Sequence, residues 1–193
     1  MGGEATAVRR ADAERNRSKI IAAAREAFAA PGAAPSMAEI ARRAGVGMAT
    51  LYRNFPGRLE LVEELYRHTV DDICEAAEHV TGETPGDAFF AWLRFFHTTG
   101  ARKKPLASLL LAESASDTPV VLRENRSRTI AAGEPLFLAA QRSGEVRDDV
   151  SLGQILDGLV ALGGVDNHPD FAGALIRIML DGLRPPAPRP AKP

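Results

Sequence analysis

Through most of its 193 residues this chain repeats apolar side chains three and four positions apart, the spacing that gathers them on one face of an α-helix. Alternating β-branched runs closed by hairpin turns are missing, so the pattern specifies an all-α fold. The hydrophobic set makes up 45% of the chain, enough for a core that folds unaided, and 25% of residues are charged, as in ordinary globular proteins. A single cysteine, Cys74, excludes an internal disulfide framework and any multi-thiolate zinc or iron–sulfur centre within one chain. No apolar run nears the roughly 20 residues of a membrane span. The start, Met1-Gly2-Gly3-Glu4, lacks a basic-then-apolar leader. A cytoplasmic protein with no membrane partner is therefore expected.

Charge divides unevenly along the chain. Residues 1–58 hold 10 Lys+Arg against 5 Asp+Glu, a net +5, whereas 59–193 hold 14 against 20, a net −6. A basic block of that size can approach a polyanion that the acidic remainder would repel, which confines any nucleic-acid contact to the N-terminal third.

Residues 1–10 lack an apolar pattern and are expected to form a flexible tail. The Pro-rich end, 184–193, cannot continue a helix and is expected to be disordered. Between them, a first helix is predicted from about Asp12 to Ala30, stopped by Pro31-Gly32. Ser36 and Glu39 form a Ser-x-x-Glu capping box that starts a second helix with Ile40, Ala41 and Ala44 inward. Gly45-Val46 breaks it. A third short helix runs from about Met48 to Asn54 and ends because Phe55 precedes Pro56.

Two short helices joined by a Gly-containing turn, with a preceding helix to cover their apolar faces, are the parts of a helix-turn-helix. Leu51 and Phe55 point inward, while Met48, Ala49, Thr50, Tyr52, Arg53 and Asn54 face outward. That outward set mixes small residues with hydroxyl, phenol, amide and guanidinium groups suited to phosphates and base edges. Arg42, Arg43 and Arg58 flank it with positive charge.

The stretch from Ser36 to Leu61, SMAEIARRAGVGMATLYRNFPGRLEL, closely resembles the DNA-binding segment of TetR-family transcriptional regulators. Ile40-Ala41, Ala44-Gly45-Val46, Thr50-Leu51-Tyr52, Phe55-Pro56 and Arg58 carry the likeness, which covers roughly residues 10 to 66. The resemblance implies that Ser36, Thr50, Tyr52 and Arg58 contact phosphate. Asn54 stands where the family usually has His. Gly47 replaces the usual Ser, so a cap or phosphate contact is lost there. Met48, Ala49 and Arg53 become the expected sequence readers, Arg53 on guanine and the other two on thymine methyls. Ala38 removes one further reader.

The domains expected on this basis are a helix-turn-helix over 11–57 and a larger helical ligand-binding and dimerisation domain over 58–183. A long amphipathic helix from Arg58 to about His79 leads into the second. Pro85-Gly86-Asp87 opens a helix crowded with Phe89, Phe90, Trp92, Phe95 and Phe96, and Pro105 starts another, almost entirely apolar. Pro135 should kink or interrupt the helix over 120–142. Aromatic helices of this kind either pack a core or line an apolar cavity. The residues expected to line a pocket for a small, mostly apolar effector are Phe89, Trp92, Phe96, His97, Leu109, Glu113 and Phe137. The last two helices, over about 151–166 and 169–183 and the first of them after a capped start at Ser151, carry surplus apolar surface. The resemblance implies a homodimer interface there through Leu152, Ile155, Leu159, Leu175, Ile178 and Met179, with glycines allowing close approach.

Catalytic and metal patterns are missing. None of His68, His79, His97 or His168 has Glu three residues before it, and no His-Glu-x-x-His occurs. Acidic neighbours make Cys74 a poor nucleophile. The sequence therefore reads as a regulator rather than an enzyme, with no cofactor and no metal. The expectation is a ligand-released repressor, binding a pseudo-palindromic double-stranded DNA operator as a dimer in a bacterial cytoplasm and associated with the nucleoid when bound.

Overall fold

A computed structural model describes residues 2–29, 34–113, 119–163 and 169–185. Among these residues the chain has eight α-helices and no strand: α1 (Gly2–Phe28), α2 (Met37–Ala44), α3 (Met48–Asn54), α4 (Arg58–His79), α5 (Pro85–Glu113), α6 (Val120–Arg142), α7 (Leu152–Leu162) and α8 (Pro169–Asp181). The all-α expectation holds. The expected tail over 1–10 does not, because α1 begins at Gly2 rather than near Asp12. Glu4, Ala5, Ala7, Arg9 and Arg10 are mostly strong helix formers. Once Ile20 to Phe28 are anchored, the helix grows backward without a new nucleus or an apolar face. The Pro-rich end lies, beyond Pro185, outside the described residues.

The chain forms two compact units, Met1–Thr69 with Arg102–Leu122 and Val70–Ala101 with Arg123–Pro193. The division expected after residue 57 is thus displaced. In the first unit Ile20, Ala24 and Phe28 of α1, Ile40 of α2, Leu51 of α3 and Phe55 are buried with Leu61, Val62 and Leu65 of α4. Leu106 and Leu110 of α5 join the same core, so the apolar stretch after Pro105 is covered there.

In the second unit Phe89, Phe90, Trp92 and Phe96 of α5 pack with Ile73, Phe137, Leu152, Ile155 and Leu159. The Phe89 and Phe137 rings lie 5.5 Å apart and the Trp92 and Phe96 rings 6.2 Å apart, within the range of favourable aromatic contact. The Trp92 indole Nε1 donates to the Ile73 carbonyl at 3.1 Å, satisfying its one polar atom. At Gly133 a Cβ would come within 2.1 Å of the Trp92 ring, so α6 reaches the indole only because no side chain stands there.

Neither proline breaks its helix. Pro105 lies inside α5 and Pro135 inside α6. Each removes one backbone hydrogen bond, to the carbonyl four residues earlier. Leu106 beside Pro105 and Phe137 near Pro135 are buried, and each helix continues past its proline.

Candidate nucleic-acid interface

The corner between α2 and α3 is built by local chemistry. Ser36 has extended backbone (φ −77°, ψ 157°), and its hydroxyl accepts from the Glu39 N–H at 3.1 Å. Only half of the expected reciprocal cap forms. The Glu39 carboxylate is held instead by Arg43, at 3.0 Å from Nε and 2.5 Å from Nη2. At the other end Gly45 adopts the left-handed conformation (φ 65°). Its N–H donates to Arg42 and that of Val46 to Ala41, the pair of bonds that ends a helix tightly. A side chain at residue 45 would be strained there whatever the space.

Helix α3 leaves this turn from Gly47, which has extended backbone and gives no side-chain cap. Leu51 and Phe55 are buried beneath it, as the sequence pattern required. Two arginines fix its surroundings. Arg17 of α1 donates to the Asn54 carbonyl at 3.3 Å, lies 4.5 Å over the Phe55 ring and pairs with Glu64 of α4 at 2.7 Å. It therefore holds the end of α3 against two other helices, placing a cation at a helix C-terminus. Burial raises the Glu64 pKa, but Arg17, His68 and Arg67 outweigh it and hold this carboxyl below its ordinary 4.5. Arg17 was not among the residues expected from the sequence; its signal was a charged residue three positions before Ile20, on the side of α1 that enters the core.

Arg58 donates to the Pro35 carbonyl at 2.5 Å, and its guanidinium lies 5.6 Å from the Phe28 ring. It braces the strand of chain that leads into Ser36. The expected phosphate contact would have to share that guanidinium with these two partners.

The outward face carries Met48, 38% exposed, and Tyr52, 46% exposed, with Ala49 and Arg53 exposed and Thr50 half-buried. Helix α3 contains no carboxylate, so this face is positive or neutral throughout. Arg53 folds back along the helix, Nε donating to the Ala49 carbonyl at 3.2 Å and Nη2 to the Thr50 hydroxyl at 2.9 Å. Asn54 is half-buried and donates to the Thr50 carbonyl at 2.8 Å, so its amide closes the helix.

The other expected sites fare less evenly. Phe89, Trp92, Phe96 and Phe137 come together, fully packed in one core. Half-buried His97 belongs to the same unit, and burial pushes its imidazole below the usual range, toward the neutral ring. Leu109 does not join them. It packs with Leu106 and Leu110 in the other unit, because α5 contributes its two halves to different cores. Glu113 closes α5, and its side chain lies outside the described residues.

The expected interface residues also separate. Leu152, Ile155 and Leu159 are buried within their own unit and have no surface left to cover against a second copy. Met179 is half-buried against Gly158, where a Cβ would come within 2.7 Å of its Cε, so that glycine serves close approach within the chain. Leu175 is half-buried, while Ile178 and Val160 are 67% and 62% exposed. No helix among the described residues is long and apolar enough to cross a membrane.

Residues 20–65 match the family model for bacterial regulatory proteins of the tetR family, and residues 84–185 match that for the C-terminal domain of SbtR-like transcriptional regulators. A TetR transcriptional regulator from Streptomyces coelicolor is 32% identical over 89% of this chain and 99% of its own, with a TM-score of 0.68. A TetR transcription regulatory protein from Mycobacterium vanbaalenii is 35% identical over 91% and 98%, also with a TM-score of 0.68. A gamma-butyrolactone receptor, 21% identical over 90% of each chain with a TM-score of 0.57, shares the fold.

Proposed function

The chain belongs to the TetR family of bacterial regulatory proteins and is a DNA-binding transcriptional regulator; from that premise we propose that it represses by binding a pseudo-palindromic duplex as a homodimer, one α3 per half-site. The observation that carries this reading is the face of α3 from Met48 to Arg53, exposed, free of carboxylates and backed by the buried pair Leu51 and Phe55. Ser36, Thr50 and Tyr52 supply neutral donors for phosphate on the same corner, Arg58 adds charge beside it, and Arg43 meets phosphate by exchanging its Glu39 partner for it. Gly47 allows the backbone to approach, and Asn54 ends the helix. Two-fold symmetry of the dimer requires the operator to mirror it. Exposed Ile178 and Val160, with half-buried Leu175 and Met179, are the apolar surface of α7 and α8 that a second copy covers.

The proposed effector is a small, mostly apolar molecule taken by the unit built on Phe89, Trp92, Phe96 and Phe137, with neutral His97 as its polar contact. That one protein of the same fold is a gamma-butyrolactone receptor supports this class. Such a molecule releases DNA only through its difference in affinity between the DNA-compatible and incompatible states. The protein works in the cytoplasm, on the nucleoid.

The test is selection of duplexes from a random-sequence library, followed by anisotropy titration over a range of salt and sedimentation of the complex. An enriched inverted repeat, bound by two chains with affinity that falls steeply as salt rises, is the expected result. Enrichment of no motif sinks the proposal.

A further inference from the structure

Arg53 sits in the middle of the outward face of α3, and the sequence alone assigned it to guanine. Its observed geometry suits a different task. The Nε and Nη2 edge of the guanidinium is already used on the helix itself, against the Ala49 carbonyl at 3.2 Å and the Thr50 hydroxyl at 2.9 Å. In this pose two of its five N–H groups are spent on α3, and the other three remain on Nη1 and Nη2. Both acceptors are neutral, and α3 holds no carboxylate, so the positive charge stays uncompensated within the helix while the group is held in place. The Thr50 hydroxyl accepts from this cation and has its own proton left to donate. A hydroxyl polarised in that way is a stronger donor. Guanidinium and hydroxyl are thus bonded to each other at 2.9 Å while each keeps protons to donate, a pair of neighbouring donors that two oxygens of one phosphate can accept.

We infer that Arg53 and Thr50 form a single phosphate clamp, so that Arg53 sets register and charge while Met48 and Ala49 read sequence through thymine methyls. The inference rests on the DNA-binding reading above and adds which residues position and which discriminate.

The full-length chain is titrated by anisotropy on the duplex selected by the wild-type protein, on each of its single-base-pair variants, and across salt. Arg53→Gln is expected to weaken binding about tenfold or more. The factor should be the same on every variant duplex, and the salt slope shallower by about one per half-site. Thr50→Val should give the same uniform loss. The double variant should lose less than the product of the two single losses, and Thr50→Ser should restore binding. Replacing a contacted thymidine by deoxyuridine should cost about fourfold for the missing methyl. Melting curves that coincide with the wild type's establish that the exposed Arg53 substitution leaves the fold intact. If Arg53→Gln relaxes the preference at one base pair and leaves the salt slope unchanged, the clamp is overturned and Arg53 reads a base after all. If the wild-type chain enriches no sequence, the DNA-binding reading falls as well, a separate and recognisable outcome.

Discussion

Helix α7 begins on a complete reciprocal cap, the Ser151 hydroxyl accepting from the Gln154 N–H at 3.3 Å and the Gln154 side chain from the Ser151 N–H at 2.9 Å. Helix α3 begins on Gly47, which offers no side-chain oxygen. Leu152, Ile155, Leu156 and Leu159 of α7 are buried, whereas α3 buries only Leu51 along its length. At seven residues α3 is far below the length at which a helix is stable alone. It is held from behind by Leu51 and Phe55 and at its end by Arg17. The contrast teaches where stability sits when a helix exists to be read. The scaffold supplies it, and the outward residues are left free to change without unfolding the element.

The largest test of that contrast is a pair of core truncations. Leu51→Ala and Leu159→Ala should each cost about 2–5 kcal/mol by denaturant unfolding. At a temperature where both remain folded, only Leu51→Ala should weaken DNA binding; equal losses of affinity would break the distinction. Next, Ser151→Ala should lower stability by about 1 kcal/mol, since α7 relies on its own cap. Smaller again is the contribution of Glu64, under about 1 kcal/mol for a pair near the surface. Its carboxyl titrates below 4.5 in the folded chain, so its contribution is present above that value and lost as pH falls through the folded pKa. Wild type should accordingly be more stable than Glu64→Gln at neutral pH, and the gap should close in acid. The smallest effect is a gain. A Cβ at Gly47 meets nothing within 4 Å and its backbone suits a cap (φ −72°), so Gly47→Ser should stabilise by a few tenths of a kcal/mol in a thermal melt.

Signals that act within a few residues were legible in the sequence. The Ser36 start, the Gly45 stop, the Phe55-Pro56 end and the Ser151 start all depend on side chains beside the backbone groups they satisfy. The family match over 20–65 falls where those signals are densest. The backward extension of α1 was not legible, because helix propagation there leaves no apolar stripe. Pro105 marked a break that packing overrode. Leu152, Ile155 and Leu159 show why an interface is hard to read: an apolar repeat is the same whether the chain or its copy covers it. Arg58 and Arg17 illustrate a further limit, since an arginine that braces the fold and one that meets phosphate look alike in a sequence.

The contact between Gly133 and the Trp92 ring has a practical consequence. The chain has one tryptophan, and its indole is wholly buried with its N–H bonded to a carbonyl of α4. Its fluorescence should therefore be blue-shifted and report on a single environment, giving an intrinsic optical gauge of the unit around it without any added label.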